Sequence, residues 1–126
     1  MNHTDAEWIP ITERQPERSD GDESGLVFVW HVFQCAMLIP WDRIRENPFH
    51  THWMPMGWIE EKHWIDRSER LPTADDSDEL HCVLVRHCHD GNKVTGWHQI
   101  AADGQAERWM PLPKPPTNYR ELRRMT

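Results

Sequence analysis

The chain contains one short segment twice: residues 8–16 read WIPITERQP, and residues 64–72 read WIDRSERLP. The match continues at a constant offset of 56 residues until both segments close on Trp-Met-Pro, at residues 53–55 and 109–111. Residues 8–56 and 64–112 share 16 identities in 49 aligned pairs, where ordinary composition gives roughly 3 by chance. We interpret the chain as a tandem duplication of one small unit.

Each copy has the pattern of short antiparallel strands. Runs rich in β-branched residues at residues 26–32 and 82–85 predict strands, and Asp90-Gly91-Asn92 predicts a hairpin turn before residues 94–97. The first copy has an apolar stretch, residues 34–40, which either extends a strand or covers the other copy. We predict a mainly β fold of three to four short strands per copy, with an α+β arrangement left open, and two copies docked with pseudo-twofold symmetry to share a core.

The offset also sets the predicted boundaries of the chain. We expect an N-terminal tail at residues 1–7, the first copy at 8–56, a linker at 57–63, the second copy at 64–116 and a C-terminal tail at 117–126. Eight tryptophans compensate for few aliphatic residues, because each buries a large area. Those predicted to lie in the core are the six that recur in pairs: Trp8, Trp41, Trp53, Trp64, Trp97 and Trp109.

Charge and hydropathy narrow the class of protein. Of 126 residues, 21 are acidic and 14 are Lys or Arg, which gives a formal net charge of -7. This balance disfavours non-specific binding to nucleic acid and to anionic membranes, because both need a basic surface. No apolar run reaches the ~18 residues that span a bilayer, and residues 1–5 show no secretion signal. We expect a cytoplasmic protein.

The second copy resembles DUF551, a small domain of unknown function that is common in phage and prophage genomes. The matching elements are Trp64-Ile65, Arg70-Leu71-Pro72, Val83-Leu84-Val85 and the ending Trp109-Met110-Pro111-Leu112-Pro113-Lys114-Pro115-Pro116. The first copy matches more loosely, since Gln15 stands where Leu is expected and Gly57-Trp58 replace the proline-rich end.

The resemblance implies a phage origin and a location in the cytoplasm of the bacterial host, but it supplies no chemistry. Small accessory phage proteins often inhibit a host defence, so we expect a noncatalytic, anti-CRISPR-like or similar protein whose partner is a host protein or complex, such as a defence nuclease. The chain has no phosphate-binding glycine loop, nucleophile elbow or zinc-protease motif, and we therefore predict that it is not an enzyme.

The predicted partner surface combines aromatic and acidic residues. Trp30 and Trp58 are not duplicated, because Arg86 and Lys114 stand in their places, and unpaired tryptophans suit an interface. The acidic loop either is simply solvated or imitates a phosphate backbone; its residues are Asp75, Asp76, Asp78 and Glu79.

The alternative hypothesis is a small-molecule binder that sequesters a nucleotide-like signal between the two copies. Arg14 and Arg70 would grip a phosphate, and the duplicated His31 and His87 would line the same site. The competing interpretation is that each Arg stacks on the Trp of its own copy and pairs locally.

A third hypothesis is a zinc-stabilised module. Thiolate and imidazole groups suit zinc, and the weak candidates are Cys82, His87, Cys88 and His89. Their spacing is poor for a tetrahedral site, and the first copy keeps only His31 of this set. We predict no metal and no cofactor.

Overall fold

The computed structural model describes residues 8–59, 63–116 and 119–125, and the chain divides into two compact units. Unit 1 comprises residues 1–58 and 113–126, and unit 2 comprises residues 59–112. Each unit contains one four-stranded antiparallel sheet, and an α-helix, α1 (Tyr119–Met125), belongs to unit 1. The prediction of a mainly β fold with antiparallel strands is confirmed.

The sheet of unit 1 has the strand order β1-β4-β2-β3. Its strands are β1 (Ile9–Pro10), β2 (Leu26–His31), β3 (Cys35–Pro40) and β4 (His50–Met54). Ile9 lies opposite Trp53, and Val29 lies between Met37 and Trp53. The apolar stretch that the sequence left open therefore forms an edge strand.

The sheet of unit 2 repeats this order as β5-β8-β6-β7. Its strands are β5 (Ile65–Asp66), β6 (Cys82–His87), β7 (Gly91–Gly96) and β8 (Ala106–Met110). Each strand pair has the register of its counterpart in unit 1 shifted by 56 residues, and the bulge between Trp30 and His31 recurs between Arg86 and His87. Residues 56 apart are called corresponding positions below.

Alternation along the strands places one face of each sheet in a small core. In unit 1 this core contains Val27, Val29, Ile44 and Trp53; in unit 2 it contains Val83, Val85, Ile100, Ala106 and Trp109. Of the six paired tryptophans, Trp53 and Trp109 are fully buried, and the others are half-buried. Each large apolar side chain in these cores contributes about 1.5–3 kcal/mol by leaving water.

A three-residue arrangement ties the N-terminal segment of unit 1 to the core tryptophan. The Trp53 indole N–H donates to the Arg14 carbonyl oxygen at 2.7 Å. The Arg14 guanidinium lies 4.7 Å from the centre of the same ring and pairs with Asp20 at 3.3 Å. We call this arrangement the Trp–Arg–Asp bracket. The Arg14 carbonyl accepts the hydrogen bond of the buried indole N–H, and the Arg14 guanidinium covers the face of the ring.

Unit 2 contains the same bracket. Trp109 donates to the Arg70 carbonyl at 2.8 Å, and the Arg70 guanidinium lies 4.8 Å from the ring centre and 3.0 Å from Asp76. Asp76 also accepts from the Thr73 backbone N–H at 2.8 Å, which caps the short 3-10 helix Ala74–Asp76. Burial opposes ionisation of Asp76, but hydrogen bonds from Arg70 and Thr73 outweigh it and lower the pKa of this carboxyl.

Replacement of Asp76 tests the bracket. We expect Asp76→Ala to lower the free energy of unfolding by about 1–2 kcal/mol, because it removes both the cap and the partner of Arg70. Asp75→Ala, at the exposed neighbouring carboxylate, should change it by less than about 0.5 kcal/mol. Urea unfolding measures both values, and equal effects of the two substitutions would contradict this role of Asp76.

Candidate functional site

Two of the four predicted acidic contact residues have structural roles. Asp76 belongs to the bracket, and the Asp78 carboxylate accepts the backbone N–H groups of Leu80 and Cys82 at 2.9 and 3.0 Å. Both carboxylates recur in unit 1, where Asp22 closes the corresponding loop in the same way. Asp75 and Glu79 remain as exposed acidic side chains of the loop. Only part of the predicted phosphate-like array of carboxylates is therefore exposed.

The prediction that Trp30 lies on the surface is wrong. Its side chain is 2% exposed and packs edge-on against Trp8 and Tyr119, at ring-centre distances of 6.0 and 5.7 Å. Trp30 points to the second face of β2, where Tyr119 of α1 packs against it; Arg123 also holds α1 by donating to the Val32 carbonyl at 2.6 Å. At the position that corresponds to Trp30, unit 2 has Arg86. The Trp58 side chain lies outside the described residues.

The proposed ligand-binding arginines are already engaged. Arg14 and Arg70 each lie on a tryptophan ring and bind an aspartate. A phosphate would have to displace that aspartate, so the local, stacked interpretation of these residues fits the geometry better.

The two histidines at corresponding positions, His31 and His87, support turns. The His31 Nδ1 accepts the backbone N–H groups of Phe33 and Gln34, both at 3.1 Å, and His87 accepts those of His89 and Asp90, both at 3.2 Å. Each imidazole therefore fixes the hairpin turn after its strand. Because Nδ1 is an acceptor, the neutral ring carries its proton on Nε2.

Two exposed aromatic residues, Phe33 and Phe49, lie next to His31, and we call them the Phe33–Phe49 patch. Phe33 is 49% exposed and Phe49 is 36% exposed, and their ring centres are 5.4 Å apart in an edge-to-face arrangement. The rings lie 6.4 and 5.5 Å from the buried His31 ring, which itself contacts His50 at 5.6 Å. The Val32 N–H donates to the Phe49 carbonyl at 3.0 Å, so the backbone also holds the pair together.

The fold does not require these two aromatic side chains. At the corresponding positions unit 2 has His89 and Gln105, on the same turn and the same strand entry. Two further exposed apolar residues, Leu71 and Leu80, likewise correspond to polar Gln15 and Ser24. Sequence reasoning missed the patch because Phe33 and Phe49 are far apart in the chain. A signal was present in the alignment at an offset of 56 residues, where each of these aromatic residues is aligned with a polar one.

Two surface depressions bear on the hypothesis of a small-molecule binder. One, of about 80 Å³ in unit 2, is lined by Val85, His87, Lys93, Thr95, Gln99, Ile100, Asp103 and Ala106. Its most buried polar group is His87, whose Nε2 lies 3.5 Å from Asp103. Pockets for drug-sized ligands measure roughly 300–1,000 Å³, so a nucleotide does not fit there.

The second depression, of about 480 Å³, is large enough but has unsuitable charge. It lies in unit 1 and is lined by Arg18, Asp22, Glu23, Ser24, Gly25, Trp41 and Asp42. Three carboxylates against one guanidinium would repel the phosphates of a nucleotide.

The candidate zinc ligands do not converge on one point. Cys82 and His87 lie at opposite ends of β6, about 17 Å apart at ~3.3 Å per residue, and Cys88 is exposed on the turn. Burial and the nearby Asp78 raise the pKa of the Cys82 thiol, which disfavours the thiolate that zinc binds. Among the residues that the structure describes, no group of three or more His, Cys, Asp or Glu side chains is arranged to hold a metal.

Comparisons of the chain with protein-family models, with curated proteins and with solved structures found no match. The resemblance to DUF551 therefore stays a prediction. Within the described part of the chain, no helix is long and apolar enough to cross a membrane.

The buried His31 predicts a pH dependence of stability. Burial, reinforced by the neighbouring His50, lowers the pKa of His31 below the ordinary 6.5. The unfolded state therefore binds the proton more readily, so the stabilisation is complete above pH 6.5 and is lost as the pH falls through the folded-state pKa. Each such group contributes at most about 1.4 kcal/mol per pH unit.

Urea unfolding as a function of pH measures this effect. We expect His31→Asn, which keeps a side-chain acceptor but cannot titrate, to flatten part of the slope below pH 6.5. The remainder includes His52, whose pKa burial also lowers. An unchanged slope in the variant would show that His31 does not carry the effect.

Proposed function

We propose that this chain is a noncatalytic binding protein that inhibits a host factor, and that the Phe33–Phe49 patch belongs to the surface that contacts the partner. The observation that carries the proposal is the exposure of two aromatic rings in edge-to-face contact at positions where unit 2 has polar residues. Exposed apolar side chains that a fold does not need are typical of interaction sites.

A protein partner suits the chemistry of this surface. The patch is exposed and aromatic, and aromatic side chains are enriched in the buried centre of protein interfaces. Burying each ring would contribute about 1.5–3 kcal/mol to binding. The His31 bonds to the turn hold Phe33 in place before binding, which reduces the entropy cost of association.

The host and phage part of the proposal rests on the resemblance to DUF551 and is an inference by analogy. On the same basis we propose that the partner is a component of an antiviral defence in the bacterial cytoplasm. The identical strand order and register of the two sheets also support our proposal that the units descend from a tandem duplication. Their docking with pseudo-twofold symmetry stays a prediction.

Sequestration of a nucleotide-like signal is a weaker alternative. Arg14 and Arg70 are engaged within their own units, and the cleft beside His87 measures only about 80 Å³. Neither feature offers a free cationic site of nucleotide size.

The test of the proposed function uses residues that the fold already accepts. In the patch variant, Phe33→His with Phe49→Gln, each phenylalanine is replaced by the residue at its corresponding position. The matched control, Leu71→Gln with Leu80→Ser, does the same for the exposed leucines of unit 2. Each protein is expressed in bacteria that carry one defence system at a time, and phage plating efficiency is measured.

We expect wild type and control to restore plating in one of these hosts, and the patch variant to lose that effect. Binding of the patch variant to the isolated partner should weaken by about tenfold or more, because each lost 1.4 kcal/mol costs tenfold in affinity. Full inhibition by the patch variant would contradict the assignment of this surface to partner binding. Absence of any effect of the wild type across the panel would contradict the inhibitory function itself.

A further inference from the structure

The cleft of about 80 Å³ in unit 2 has a buried floor and a polar mouth. The floor consists of four lining residues with little exposure: Val85, His87, Ile100 and Ala106. The other lining residues are more exposed and form the mouth; they are Lys93, Thr95, Gln99 and Asp103. The side chains of Lys93 and Asp103 are 42% and 45% exposed, so the cleft opens to solvent on this side.

Unit 1 shows which group occupies the corresponding space. Three floor residues are identical in unit 1, where they are Val29, His31 and Ile44, but Ala106 corresponds to His50. The His50 side chain is buried, and its Nδ1 donates to the Ile44 carbonyl at 2.9 Å. Its ring lies edge-on to the His31 ring at a centre distance of 5.6 Å. An imidazole thus fills in unit 1 the position that an alanine leaves open in unit 2.

The partners of that imidazole are retained in unit 2. The Ile100 carbonyl corresponds to the acceptor of His50, and the Asp103 N–H donates to it over a long distance of 3.3 Å. A carbonyl oxygen has two lone pairs, so it can accept a second N–H. The His87 ring corresponds to the His31 ring, and its bonds to the following turn hold it in place.

We propose that the cleft of unit 2 binds an imidazole group, which is supplied by a small molecule or by a histidine side chain of another protein. The ring takes the place that His50 has in unit 1. One N–H donates to the Ile100 carbonyl, and the ring packs against His87. Any substituent of the ring points out of the mouth, because Ala106 of β8 closes the floor.

Size and charge select such a ring. A cavity of about 150 Å³ binds benzene, and a single water needs roughly 10–15 Å³. The cleft, at about 80 Å³, lies between these values and suits a smaller aromatic ring. Its lining contains one cation and one carboxylate, Lys93 and Asp103, whose formal charges cancel. An uncharged ligand is therefore preferred over an anion.

Titration of the ¹⁵N-labelled full-length protein with imidazole, followed by NMR, tests the proposal. The titration is run at about pH 8, above the ordinary histidine pKa of about 6.5, so that imidazole groups are largely uncharged. We expect saturable shifts of the amide signals of the floor residues, with a dissociation constant on the order of 1 mM, as for a ligand of few atoms. The signals of the corresponding residues of unit 1 are an internal control and should not move.

Substitutions at corresponding positions test the location of the site. Ala106→His places the residue of unit 1 in the cleft and should weaken imidazole binding by about tenfold or more. Ala101→His adds the same side chain at an exposed position outside the cleft and should bind as wild type does. His50→Ala is the reciprocal change: it opens unit 1 and should add shifts at His31 and Ile44. The amide spectrum shows whether each variant is folded, and Ala106→Val fills the cleft if Ala106→His does not fold.

Two further probes define the chemistry of the ligand. Thiazole has a ring of similar size without an N–H, and it should bind about tenfold more weakly or not at all. Imidazole with a methyl group on a ring carbon reproduces the attachment of a histidine side chain. Its binding supports a histidine of another protein as the source, and its rejection supports a free small molecule. The proposal is overturned by wild type that shows no saturable shifts, by unchanged binding to a folded filled-cleft variant, or by equal affinity for thiazole.

Discussion

In each unit the indole N–H of the core tryptophan finds an acceptor, and the arrangement that supplies it organises the unit. Trp53 and Trp109 each find it in the carbonyl of an arginine 39 residues earlier in the chain. The guanidinium of the same arginine lies over the indole ring and forms an ion pair with an aspartate. One residue thus supplies an acceptor, a cation for the ring and a charged partner for a capping carboxylate. Removing the aspartate would take away both the carboxylate of the capping box and the partner of the arginine, and removing the tryptophan would take away the ring that the guanidinium covers.

The bracket also changes how the repeated charges are interpreted. Conspicuous acidic and basic residues such as Arg70, Asp76 and Asp78 suggest a binding surface, yet all three are engaged in closing a loop. Function must then be sought where the two units differ. The Phe33–Phe49 patch is such a place: it lies in unit 1, and unit 2 has His89 and Gln105 at the same positions.

Most of the fold could be predicted because it follows from local patterns. The strands around Val29 and Val85 and the turn at Gly91 were visible from β-branched residues and turn chemistry. β3 was left open because its apolar residues show no alternation, so only pairing with β2 decides its structure. Trp30 was misjudged because its burial depends on Tyr119 of α1, a residue 89 positions later in the chain. The patch was invisible for the same reason, since its two rings meet only in the folded sheet.

The backbone shows why one scaffold accepts such different surfaces. Left-handed residues occur at the same two turns of each unit, yet Gly25 corresponds to His81 and Cys35 corresponds to Gly91, with φ angles between 64° and 80°. A non-glycine residue in this region costs about 1–2 kcal/mol, and each unit accepts that cost once rather than altering the turn. The register and the bracket are therefore maintained even against local strain. Side chains outside them, including the exposed rings, are free to differ between the units without changing the fold.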